Sequence, residues 1–171
     1  MRYVIPDNLG AGLAVGTVVP DKITVALEAA RFDIAPSTVN NVGAPWNDLL
    51  IVDGLFNLIN GAAISGTGVE LPQGIYTIDA VVNYFDDNSA RASHRQRLLI
   101  NGAEYSSHEG HNYLRDHTAN AAINHDSAAN VFPDIFRVQD GDIIAMQAQA
   151  NSTVTNTTDV TGGWVRLLKV A

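Results

Sequence analysis

Residues 75–85 read IYTIDAVVNYF. Tyr76, Ile78, Ala80, Val82 and Tyr84 fall on one side of a pleat and Thr77, Asp79 and Asn83 on the other, the period-two alternation of a half-buried strand. The second side is not purely polar, because Ile75, Val81 and Phe85 stand on it too. That is more apolar than the solvent face of an antiparallel sheet should be. Two burials are therefore expected. One is inside a β-sandwich or barrel; the other is against a second copy of the chain or, alternatively, under the N-terminal segment.

The same texture continues outward. Arg97–Ile100 runs into Asn101-Gly102, the strongest short hairpin signal because both residues tolerate positive φ, so a return strand should begin at Ala103. Ile144, Met146, Ala148 and Ala150 alternate with Gln147 and Gln149, and Trp164, Leu168 and Val170 alternate around Arg166 and Lys169; both segments read as strands. Asp53-Gly54, Asp140-Gly141 and the Gly-rich stretch 61–68 read as turns and surface loop. The stretch 118–130 reads as a weak strand or loop. No repeat of 20–50 residues is visible, which disfavours solenoids and propellers.

Before residue 49 the pattern differs. Pro6, Pro20, Pro36 and Pro45, four of the six prolines, lie here, and each removes a backbone donor. Residues 1–48 are expected to form an arm and residues 49–171 a single all-β domain. Within the arm, 21–32 could be a helix capped by Asp21 or a strand over 23–27; the strand is preferred.

The chain has 171 residues, 46% hydrophobic and 16% charged, and can bury roughly 70% of its unfolded surface without a staple or metal. Its net charge of −8, from 18 acids against 10 bases, opposes nucleic-acid binding, which depends on Lys and Arg displacing counterions. Lys22 and Lys169 are the two lysines, so no polybasic membrane patch exists. Cysteine is absent, which removes disulfides, thiol nucleophiles and thiolate metal sites. No apolar run suits a signal peptide or a membrane span, so synthesis in the cytoplasm and no membrane insertion are expected.

All five histidines, His94, His108, His111, His117 and His125, lie in one third of the chain. His108 and His111 are three apart, whereas the zinc-protease helix needs four, and on a strand the two rings would face opposite ways. Exposed loop histidines with a role in subunit contacts are the preferred reading. If several sat between subunits, acid would loosen the assembly. Asp86-Asp87-Asn88 could offer oxygens to calcium but lacks the spacing of a calcium-hand loop, so it reads as a turn. No nucleophile elbow, phosphate loop or dinucleotide fingerprint occurs. A non-enzyme without catalytic residues, cofactor or metal is expected.

Four fragments in order carry a resemblance. Residues 71–78 (LPQGIYTI), 97–102 (RLLING), 136–144 (FRVQDGDII) and 162–168 (GGWVRLL) resemble strand motifs of the complement globular-head and tumour necrosis factor-like jelly-roll family, over about residues 50–171. The resemblance implies an antiparallel jelly-roll β-sandwich that packs as a homotrimer. Domains of this shape occur in bacteriophage virions, and the cysteine-free chain suits that setting. The function expected is a trimeric capsid decoration, or cement, protein on the virion surface, partnered by itself and the major capsid protein. The alternative is a trimeric fibre or tail head that binds host surface glycans through loop residues such as Tyr105 to Tyr113. The residues expected at the subunit interface are Ile75, Val81, Phe85, His94, His108, His111 and Trp164.

Overall fold

The computed structural model describes residues 28–86, 91–115, 125–152 and 157–171. Among them are twelve strands and no helix: β1 (Ala29–Ile34), β2 (Ser37–Asn40), β3 (Asn47–Leu49), β4 (Ile51–Asn57), β5 (Ala63–Ser65), β6 (Gly68–Leu71), β7 (Gly74–Asp86), β8 (Arg91–Ile100), β9 (Ala103–Arg115), β10 (His125–Val138), β11 (Asp142–Ser152) and β12 (Thr157–Lys169). They form two antiparallel sheets. The first has the order β10-β7-β12-β1-β4 with β2 also on β12, and the second β5-β6-β11-β8-β9 with β3 also on β11. From β9 to β12 the chain crosses between the sheets at each connection, as in a jelly-roll sandwich.

The alternation of residues 75–85 fixes the middle of the first sheet. Tyr76, Ile78, Ala80, Val82 and Tyr84 are all at most 1% exposed and face Leu98, Ile144, Met146, Ala148 and Ala150 of the second sheet. β12 adds Val160, Val165 and Leu167, and β1 adds Ala30, Phe32 and Ile34. The expected hairpin is present: Ile100 pairs with Ala103, and Asn101 (φ 51°) and Gly102 (φ 76°) both adopt the left-handed region that a type I′ turn requires. The Asn101 side chain then ties this turn to the next one. Its Oδ1 accepts from Ile143 N (2.9 Å) and its Nδ2 donates to Asp142 Oδ1 (2.7 Å). The Gln139 backbone N–H and then Asn101 hold the Asp142 carboxyl below the usual carboxylate range.

Three expectations are corrected. Residues 29–49 belong to the two sheets, with β1 between β12 and β4, so the boundary does not fall at residue 49. Pro36 and Pro45 lie between strands, where the missing N–H costs no ladder bond. The preferred strand over 23–27 lies outside the described residues. Asp53-Gly54 is not a turn; it lies within β4, opposite a register shift in β1 between Arg31 and Asp33. A Cβ on Gly54 would stand 2.3 Å from the Arg31 carbonyl, so the glycine permits a close backbone approach there. The Gly-rich stretch 61–68 contains the β5–β6 hairpin, in which Ser65 pairs with Gly68 around a turn opened by Gly66 (φ 59°).

Tyr76 gives the core a pH signature. Its ring is fully buried, its hydroxyl donates to the Pro72 carbonyl (2.8 Å), and burial, with the Glu28 charge second, pushes its pKa up to about 12. An unfolded tyrosine ionises near 10, so this contribution to stability is complete below pH 10 and is lost as pH rises toward 12. The loss should reach about 3 kcal/mol, at ~1.4 kcal/mol per pH unit. Urea midpoints from pH 9 to 12, with tyrosinate absorbance read in parallel, check it. All five tyrosines ionising together near 10 with the fold intact would refute it.

Candidate functional site

The two sheets present chemically different outer faces. On the first sheet, the outward residues of β7 are Ile75, Thr77, Asp79, Val81, Asn83 and Phe85, because the inward set is the buried one. Trp164 of β12 pairs with Val81 on one side and with Asp33 of β1 on the other, and Val52 of β4 lies beyond Asp33. The next row places Phe56, Arg31, Arg166 and Asp79 side by side, and Leu168 pairs with Thr77. Apolar groups thus surround a small charged centre. The Arg31 and Arg166 guanidinium carbons lie 5.8 and 5.5 Å from the Trp164 ring centroid. Arg166 is ion-paired with Asp79, and Arg31 Nε lies 3.6 Å from Asp33 Oδ1. These pairs straighten the arginines over the indole more than they stabilise the fold, since exposed pairs contribute about 0–1 kcal/mol.

The outer face of the second sheet carries a polar ladder. Arg95 and Arg97 of β8 pair with Gln149 and Gln147 of β11, and on the other side with His111 and Glu109 of β9. Arg97 donates from Nε and Nη2 to Gln147 Oε1 (2.9 and 2.7 Å) and from Nη1 to Glu104 Oε2 (2.6 Å). Arg95 donates to Gln149 Oε1 (3.2 Å) and is ion-paired with Glu109. Above this ladder lies Trp46, its ring centroid 4.2 Å from the Arg97 guanidinium carbon and 5.7 Å from that of Arg95.

The residues expected at one subunit interface are divided among three places. Ile75, Val81, Phe85 and Trp164 share the outer face of the first sheet. His94 instead lies inside the sandwich, 0% exposed, its ring stacked on Tyr84 at 4.4 Å and 10°. It therefore cannot contact another subunit. Tyr84 in turn donates to the buried Gln96 Oε1 (3.2 Å), while Asn41 donates to Thr158 Oγ1 (3.0 Å), so this part of the core is polar and only partly hydrogen-bonded, the Gln96 Nε2 amide finding no hydrogen-bond partner among the described residues. His111 is exposed on the second sheet. His108 lies on β9, and its side chain lies outside the described residues. His94 and His111 thus share no layer with the apolar face, which separates both from any acid response of that face. The segment Tyr105 to Tyr113 is strand, not loop: Tyr105 packs on Phe136 (5.7 Å) and donates to the Ile135 carbonyl (3.4 Å), while Tyr113 is exposed.

Strand parity could have placed His94, because Ala92, Gln96 and Leu98 share its side. That Phe56 and Leu168 join this face, and that Trp46 covers the Arg–Gln ladder, carries no local signal, because the neighbours come from distant strands. Asp87 and Asn88 of the acidic turn lie outside the described residues. Among the described residues no three His, Asp or Glu side chains gather into a metal-ligating group.

No protein-family model matches the sequence, and no curated protein sequence matches it. Solved structures do match. The Eiger TNF structure from S. frugiperda superposes with a TM-score of 0.55 at 12% identity, over 86% of this chain and 94% of that one. Murine APRIL superposes at 13% identity over 83% of this chain and 99% of that one, with TM-scores of 0.51 at pH 8.5 and 0.53 at pH 5.0. At such identity the likeness shows the fold alone: this chain folds as a TNF-like jelly roll.

Proposed function

We propose that the chain is a non-enzymatic structural protein that assembles as a homotrimer through the outer face of the first sheet. The observation that carries this reading is the row of Val52, Trp164 and Val81, flanked by Ile75, Phe85, Phe56 and Leu168, on a face that a lone sandwich would leave in water. Ile135, 64% exposed, extends it at the β10 edge. A ring of three copies closes a head-to-tail interface without leaving an open patch, and a stable interface needs roughly 800 Å² from each partner. On the finer level, the trimer serves as a capsid decoration protein on the virion surface of a tailed bacteriophage. It is made in the host cytoplasm, and the major capsid protein is its partner. Threefold symmetry suits local threefold positions of a shell, where three weak contacts add by multivalency.

Sedimentation of the purified chain tests the assembly. The expected species has three times the chain mass at micromolar concentration. Val81→Lys, which sets three ammonium groups into an apolar contact, should weaken association by about 100-fold or more, the effect of ~3 kcal/mol per site. A strictly monomeric wild-type protein removes the reading. Electron microscopy of capsids lacking the protein, before and after its addition, tests the capsid role: saturable, symmetric occupancy is expected, and none would confine the proposal to the trimer.

A further inference from the structure

The fold holds Trp46 on an open sheet face by unusual means. The loop before it contains Gly43 (φ 74°) and Ala44 (φ 46°), and a left-handed alanine is a conformation that proteins keep only where the surroundings enforce it. Several bonds do so here. Asn40 Oδ1 accepts from Val42 N (2.9 Å), the Asn41 carbonyl from Ala44 N (3.1 Å), and the Pro45 carbonyl from Asn47 Nδ2 (2.9 Å). From below, Gln149 Nε2 donates to the Ala44 carbonyl (2.5 Å) and Gln147 Nε2 to Asp48 Oδ1 (2.8 Å). The loop that carries the indole is thereby fixed, with the ring centroid 4.2 Å from the Arg97 guanidinium carbon. Asp48 and Glu104 are exposed beside it, and His111 and Tyr113 are exposed farther along the same face.

We infer that this face is a saccharide-binding site, with Trp46 as the stacking platform and the exposed Asp48 and Glu104 carboxylates as partners for sugar hydroxyls. A pyranose has one face of weakly positive C–H groups, which pack against the negative face of an aromatic ring, and a rim of hydroxyls that both donate and accept. An indole held in place near the exposed Asp48 and Glu104 carboxylates matches that pattern. It also loses little conformational entropy on binding. The ligand is a neutral sugar. Arg95 and Arg97 are already neutralised by Glu109 and Glu104, and the net charge of −8 repels uronic or sialic acids and phosphate-bearing chains alike. The site lies within one protomer and does not depend on the trimer.

The test is a titration of the full chain with hexasaccharides of glucose, mannose, galactose and N-acetylglucosamine, with oligogalacturonate and sialyllactose as acidic counterparts. Affinity is read for every variant by isothermal titration calorimetry, and the two indole N–H resonances of the wild type, assigned with Trp46→Phe, report where the sugar binds. At least one neutral hexasaccharide should shift the Trp46 signal with millimolar or tighter affinity, and the acidic sugars should bind about tenfold more weakly or not at all. Trp46→Ala should reduce the affinity about tenfold or more, Trp46→Phe less, and Asp48→Asn a few-fold, with melting temperatures near that of the wild type. No shift from any neutral sugar at about 10 mM, binding that survives Trp46→Ala, or equal binding of acidic sugars would overturn the inference. Sedimentation of the same samples reports the assembly separately, so the two proposals fail independently.

Discussion

Gly163→Ala is expected to abolish the folded domain. Gly163 has φ of 152°, a conformation that L side chains rarely adopt, at the point where β12 resumes its register with β7 after a bulge. An added Cβ would stand 2.1 Å from the Val81 carbonyl oxygen and 3.1 Å from the Val82 Cα. Both are backbone atoms of β7, held by ladders to β10 on one side and β12 on the other, so neither can yield. The neighbouring Gly162 provides the control. Its φ of 137° is equally unfavourable to a side chain, but its Cβ would meet only the Ile34 carbonyl at 3.5 Å. Gly162→Ala should therefore cost the conformational strain alone, about 1–3 kcal/mol. Gly163→Ala adds a backbone collision and should exceed about 4 kcal/mol, most of the stability of an ordinary domain. Soluble yield and urea unfolding of the two variants measure the contrast; a Gly163→Ala protein as stable as Gly162→Ala would disprove this account of β12.

Phe136→Ala should be the most damaging of the side-chain truncations at the β9–β10 flank. Phe136 is 2% exposed, lies 6.1 Å from the Tyr76 ring and 5.7 Å from Tyr105, and bridges the edge strands of the two sheets. Removing it leaves a cavity that the paired strands cannot close, at a cost of about 3–5 kcal/mol. For a domain of this size that corresponds to roughly 10 °C or more in melting temperature. Phe136→Leu retains most of the volume and should cost under ~1.5 kcal/mol. Calorimetry of the pair checks the assignment, and equal losses for alanine and leucine would mean that the ring does not fill the flank.

The sequence was legible wherever the signal is local. The alternation of residues 75–85 names the buried side of β7 without reference to any other strand, and Asn101-Gly102 names its turn because two consecutive left-handed residues leave few alternatives. Asp53-Gly54 shows where local reading fails. The dipeptide has turn chemistry, yet its glycine serves the backbone of Arg31, more than twenty positions earlier. His94 departs from its sequence neighbours for the opposite reason. Clustering in sequence drew it into a group with His108 and His111, although the parity of β8 sends it into the core.

Strand alternation and tight turns are written into residues two to four apart, and they alone make this chain an all-β sandwich or barrel; the jelly roll entered through the resemblance of four ordered fragments to a known family. Which apolar residues share the outer face, and that the Trp46 indole lies over Arg97 and Arg95 of β8, follows from the folded arrangement alone. A sheet face is assembled from side chains of strands distant in the chain, and their register is fixed by the joint packing of both layers, which no single segment encodes.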